Sequence, residues 1–182
     1  LETRRPHRQR PVDLLRQTER LEEETVRDAL TGLSNRRALD RVVPRATSGS
    51  VVMIDLDHFS TINEDGGHAA GDVALACFGR ILGAHVRAID TVCRVGGDEF
   101  AIICGHTDTD GALALVGRIR SAWEAEAPEG VTFSAGVAKV SEGGGTAALL
   151  AADHALYRAK ARGRSRTEIA GDHVESATED RR

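Results

Sequence analysis

Aromatic residues are scarce, at 3% of a 182-residue chain. A core with so little aromatic surface has to be built from Ala, Val, Leu and Ile. The same scarcity argues against a single-stranded nucleic-acid binder, which stacks bases on aromatic rings. Cysteine is nearly absent too. Cys77, Cys93 and Cys104 are odd in number and lack metal-ligand spacing, so they read as small apolar residues in a reducing, cytoplasmic setting. No apolar run is long enough to cross a bilayer, and no signal-peptide pattern appears. The net charge of -4 gives no global attraction to polyanions, so any phosphate binding must be local. What is present is ordinary for a globular protein: 41% hydrophobic and 29% charged residues, on a length that suits one domain with short extensions. The chain starts with Leu1 rather than Met, which suggests a piece of something longer.

Residues 1–10 carry Arg4, Arg5, Arg8 and Arg10 and little that can pack. They read as a solvated basic lead, or as the cytoplasmic flank of an upstream membrane region. Residues 11–27 read as a charged helix with Leu14 and Leu21 seven apart, a two-heptad pattern able to pair two chains. Gly32 then makes a turn, and Ser34 or Asn35 caps a helix through Leu39, Val42 and Val43 that Pro44 shortens. Val51-Val52-Met53-Ile54 reads as a central strand buried on both faces. It ends in Asp55-Leu56-Asp57, with Asp57 a candidate cap for a short helix over residues 58–63. Gly66 to Asp72 reads as a glycine-rich turn into a helix bearing Leu75, Phe78, Ile81 and Leu82. Arg87 and Asp90 are spaced for a local ion pair. Thr107 to Thr109 offers caps for a helix ending near Trp123, residues 131–138 form a strand, and a last helix stops at Gly163. The tail from 171 is polar and reads as disordered.

Between these elements lies Arg94-Val95-Gly96-Gly97-Asp98-Glu99-Phe100, flanked by the apolar runs Thr91-Val92-Cys93 and Ala101-Ile102-Ile103-Cys104. Apolar, β-branched runs around Gly-Gly read as a β-hairpin. Two carboxylates beside an open glycine backbone suit a divalent cation and a phosphate, and equally a solvated acidic turn. The order of elements predicts an α/β fold. A mixed central β-sheet containing a β-hairpin is flanked by helices, in a pattern related to the ferredoxin-like split βαβ unit.

Several motifs then coincide in order and spacing. Residues 28–37, Asp55 to Phe59, Ile62 to Asp72, the intact Arg94 to Phe100 signature, Phe133 to Val137, and Ala155 to Lys160 with Gly163-Arg164 together resemble the GGDEF family, the diguanylate cyclase catalytic domain of bacterial signalling proteins. The likeness covers roughly residues 25 to 170. It implies a nucleotidyl cyclase and polymerase-palm-like fold and the condensation of two GTP into cyclic di-GMP with release of pyrophosphate. The domains implied are a basic lead and signalling helix over 1–27, the catalytic domain over 28–170, and a disordered tail over 171–182.

The resemblance also implies residue roles. Asp55, the Leu56 carbonyl, Asp98 and Glu99 would hold Mg2+ or Mn2+, with Asp98 and Glu99 catalytic. Asn63 and Asp72 would read guanine, and Gly96 and Gly97 would leave room for the nucleotide. His58, Phe59, His68, Lys160 and Arg164 would complete the substrate contacts. Arg87 and Asp90 match the family's RxxD inhibitory site for product, with Arg118 as a second arginine. Catalysis would need a homodimer, an upstream sensor would control it, and nucleic acid is not a partner. Three positions depart from the family pattern: Ser60 where a Lys is frequent, Glu64 for Asp, and Val95 for an aromatic residue. A catalytically weak domain that binds GTP or cyclic di-GMP as a regulatory module is the competing reading.

Overall fold

A computed structural model describes residues 26–171. The basic lead, all but the last two residues of the helix expected over 11–27, and all but the first residue of the tail lie outside the described residues. Val26 and Arg27 are not helical. The Asn35 amide donates to the Val26 carbonyl at 2.8 Å, and Asn35 Nδ2 donates to the Arg27 carbonyl at 3.1 Å. These bonds draw the segment into a bridge between Arg27 and Ser34.

Helix α1 (Arg36–Val42) is capped by Asn35, whose side-chain oxygen accepts from the amides of Arg37 and Ala38. Pro44 follows in a single 3-10 turn, Val43–Arg45, as its missing N–H requires. Then come β1 (Ser50–Leu56), α2 (Phe59–His85), β2 (Thr91–Gly96), β3 (Glu99–Cys104), α3 (Thr109–Glu126), β4 (Phe133–Lys139), α4 (Gly144–Ala161) and β5 (Thr167–Ile169). The sheet order is β2-β3-β1-β4-β5. The first four strands pair antiparallel, and β5 joins β4 in parallel. Strand β1 is therefore central and buried along its whole length, as its unbroken apolar run requires.

Alternation along the strands makes two cores. Val52 and Ile54 face α2 and α3 with Phe100, Ile102, Phe133 and Val137, while Val51 and Met53 face α1 and α4 with Leu39, Ala152 and Leu156. The first core departs from the all-aliphatic expectation. Phe78 sits 5.1 Å from Phe100 and 5.0 Å from Trp123, both edge-on, and 5.4 Å from Phe133. The few aromatic residues are concentrated where one large ring from each of four elements fills the centre. The second core is thin because β4 meets α4 through Gly136, where a Cβ would lie 2.0 Å from the Ala152 carbonyl oxygen.

The glycine-rich stretch breaks the helix as expected, but the break is narrow: within α2, residues 59–85, two helical segments meet at a kink at Gly67 (φ 74°, ψ 171°). One element is new: strand β5 was not expected from its sequence; it is three residues long and pairs in parallel with β4. No helix among the described residues is long and apolar enough to cross a membrane.

Candidate active site

The hairpin forms as expected. Strands β2 and β3 pair through Arg94 and Phe100, and Gly97 and Asp98 turn the chain between Gly96 and Glu99. Gly97 has φ 49° at the first turn position, the left-handed region that glycine enters freely. Register then delivers the carboxylates: Glu99 is the partner of Asp55 across β1 and β3, and the Leu56 amide donates to the Asp98 carbonyl at 3.3 Å. Asp55, Leu56, Asp98 and Glu99, distant in sequence, thus share one end of the sheet.

Asp55 is buried, at 6% exposure. Burial pushes its carboxyl up to about 6; the Lys160 ammonium opposes the rise, and the Asp98 and Glu99 charges add to it. Lys160, from the last turn of α4, places its Nζ 2.6 Å from Asp55 Oδ2. It is the local counter-ion of the cluster rather than a free phosphate ligand. Among the described residues no three His, Cys, Asp or Glu side chains already converge as a metal cage. The donor set nevertheless fits a divalent cation: a buried carboxylate, two further carboxylates and a strand-end carbonyl are hard oxygen donors short of positive charge.

The hairpin is braced by a pair that sequence reasoning missed. Arg94 Nη1 lies 3.2 Å from both carboxylate oxygens of Asp28, while Nε and Nη2 donate to the Gly97 carbonyl at 3.0 and 2.8 Å. Burial raises the Asp28 carboxyl, but bonds from Thr31 and Arg94 outweigh it and hold it below its usual range. The available signal was that both ends of the pair belong to the quoted motifs.

Asp57 does not cap α2. His58 occupies that position with φ 58° and no side-chain bond. Asp57 is instead 1% exposed and accepts from Thr132 Oγ1 at 2.6 Å, Ser134 Oγ at 2.7 Å and the Ser165 amide at 3.0 Å. Three charge-assisted bonds account for a carboxylate buried at this depth.

On α2, Asn63 and Asp72 flank the Gly67 break. Asn63 lies against Gly71, the neighbour of Asp72 in the chain, where an added Cβ would lie 2.1 Å from Asn63 Oδ1. Asn63 is half-buried, and Asp72 and His68 are exposed. His58 and Phe59 open α2 next to β1, where a helix leaves its first amides unpaired. Arg164 is exposed in the loop after α4.

Arg87 and Asp90 do not form the expected side-chain ion pair. Asp90 Oδ2 accepts from the Arg87 backbone amide at 2.9 Å, and Oδ1 accepts from the Gly105 amide at 3.1 Å. The short turn favours backbone over guanidinium. Arg87 is left exposed, as is Arg118 on α3.

Comparison with known proteins agrees with this geometry. The family model for the GGDEF domain of diguanylate cyclases matches residues 25–166. The response regulator PleD of Caulobacter vibrioides is 41% identical over 158 residues, covering 77% of this chain and 35% of PleD. The diguanylate cyclase DgcP of Pseudomonas aeruginosa is 38% identical, covering 79% of this chain and 24% of DgcP. The chain thus spans well under half the length of these two relatives. The coiled coil and GGDEF domain of DgcB from Caulobacter crescentus, solved in complex with c-di-GMP, superposes with a TM-score of 0.81 at 28% identity, covering 87% of this chain and 93% of that one. Motifs, register and fold agree: this chain belongs to the GGDEF domain family of diguanylate cyclases.

Proposed function

We propose that the domain, over residues 28–170, condenses two GTP molecules into cyclic di-GMP and releases two pyrophosphates, as a homodimer in which each protomer supplies half of the site. The observation that carries this reading is the β1–β3 register, which joins Asp55 to Glu99 and the Leu56 amide to Asp98 at the glycine turn. Asp55, the Leu56 carbonyl, Asp98 and Glu99 would hold Mg2+ or Mn2+, which when bound neutralises phosphate charge and acidifies the attacking 3′-hydroxyl. Asp98 also takes up the hydroxyl proton. Gly96 and Gly97 let the nucleotide lie on the hairpin backbone. Asp72 accepts the N1–H and N2–H of guanine while Asn63 donates and accepts beside it, so adenine would leave a carboxylate facing an acceptor. His68 borders the base. The amides at His58 and Phe59, with Arg164, bind the β- and γ-phosphates, and Lys160 joins them by leaving Asp55.

Arg87 and Asp90, with Arg118, form the product site in this reading. Asp90 is already held by two backbone amides, and Arg87 projects unpaired beside it. Residues 11–27 pair the two protomers and pass on control from an upstream sensor. The test is incubation of the full chain with GTP and Mg2+ over a range of protein concentrations. Cyclic di-GMP should form with a rate steeper than linear in protein, and Asp98→Ala should abolish it. Activity that survives in Asp98→Ala removes the assignment.

A further inference from the structure

We propose that Asp57 is a positioning residue for the phosphate-binding end of the site: through Ser165 it seats the loop after α4 and thereby sets the place of Arg164. This rests on the reading of Arg164 as a triphosphate contact.

The loop is shaped in an unusual way. Arg164 and Ser165 are consecutive residues with φ 60° and 47°. Side-chain-bearing residues avoid this left-handed region, and two in succession persist only where the surroundings hold them. Two ties are backbone bonds at the loop's ends: the Arg164 amide donates to the Ala159 carbonyl at 3.0 Å, and the Arg166 carbonyl accepts from the Ala135 amide at 2.9 Å. Between them, the Ser165 amide donates to Asp57 Oδ2 at 3.0 Å. That bond reaches the middle of the left-handed pair and fixes the residue next to Arg164.

Asp57 itself is held from several sides. Its other side-chain bonds come from Thr132 and Ser134, and its own amide donates to the Thr132 carbonyl at 2.8 Å. The strand end therefore grips the end of α4 twice, through Asp55 to Lys160 and through Asp57 to Ser165. The two grips differ in kind. Lys160 must leave Asp55 to reach a phosphate, and its side chain is one-third exposed. The Asp57–Ser165 bond involves no group that the substrate needs. It keeps the loop seated while the first grip opens, so Arg164 is presented to the phosphates in a preformed position.

Steady-state kinetics of the full chain test this, with GTP varied for wild type, Asp57→Ala, Arg164→Ala and the double variant. Asp57→Ala should raise KM for GTP about tenfold, the effect of losing one charge-assisted contact, with kcat within about twofold. Arg164→Ala should do the same, and the double variant should be no worse than Arg164→Ala alone, because both remove one interaction. Asp57→Asn, which still accepts from the Ser165 amide, should recover most of the loss; the same cycle run with it serves if Asp57→Ala does not fold. Multiplying effects, or a fall in kcat at constant KM, overturn the positioning role. An unchanged KM in Arg164→Ala overturns both the proposal and the reading of Arg164 beneath it.

Discussion

Replacing Gly71 with alanine separates stability from substrate recognition. Gly71 is buried within α2, and a Cβ there would lie 2.1 Å from Asn63 Oδ1 and 2.9 Å from Phe59 Cζ. Neither approach is tolerable, so something moves. The Asn63 oxygen is the end of a flexible side chain and gives way first; the Phe59 ring packs against the core and shifts less. Overpacking of this kind costs about 1–3 kcal/mol. Alanine in a helix returns about 1 kcal/mol relative to glycine. The net loss is about 0–2 kcal/mol, a fall in melting temperature of no more than about 8 °C. If Asn63 reads guanine as proposed, the displaced amide loses its contact with the base. One hydrogen bond at about 1 kcal/mol corresponds to about a fivefold rise in KM for GTP. The hairpin carboxylates are untouched, so kcat should hold. Initial rates of pyrophosphate release against GTP concentration, with a thermal melt of the same sample, give both quantities. A variant whose KM is unchanged would refute the placing of Asn63 in the guanine site. A variant that loses only kcat would show that the two motifs are coupled in some other way.

The brace at the hairpin predicts an acid-side signature. The Asp28 carboxyl sits below its ordinary 3.8 when folded, so its contribution is fully present above about pH 4 and is lost as pH falls through the folded value. Asp28→Asn should cost about 1–3 kcal/mol at neutral pH, because Arg94 is only 15% exposed and loses its charged partner. Denaturant melts from pH 7 to pH 3 should show the gap between wild type and variant closing at the acid end. A constant gap would refute the pairing. The thiols should divide as well. Burial pushes Cys93 up to about 11 and Cys104 up to about 12, whereas Cys77 is partly exposed. An alkylating reagent at pH 8 should label Cys77 alone in the native protein and all three after unfolding, which mass spectrometry counts.

Much of the local structure is legible in the residues themselves, wherever the physics is local. An unbroken β-branched run makes β1 central, Asn35 caps α1, Pro44 ends it, and Gly97 turns the hairpin. The chemical inventory of the site is legible for the same reason: Asp55, Asp98 and Glu99 sit at a strand end and a turn, which pattern alone locates. β5 escaped because Thr167, Glu168 and Ile169 are too few to carry a periodic signal, and they join the sheet edge through backbone pairing with β4.

The tertiary structure decided what each carboxylate is bound to. Asp55 and Asp57 are two residues apart, and the local pattern does not say which of them is tied up by structural bonds. Their partners do: Lys160 on α4 for the first, and Thr132, Ser134 and Ser165 for the second, the last 108 positions away. Likewise Arg94 and Asp28, 66 positions apart, become a brace only when the sheet brings the hairpin over the opening turn. The sequence by itself determined every element but β5, the family and the set of acidic groups, because those depend on propensity, period and motif. The roles of those groups depend on burial and on partners remote along the chain, and only folding brings those together.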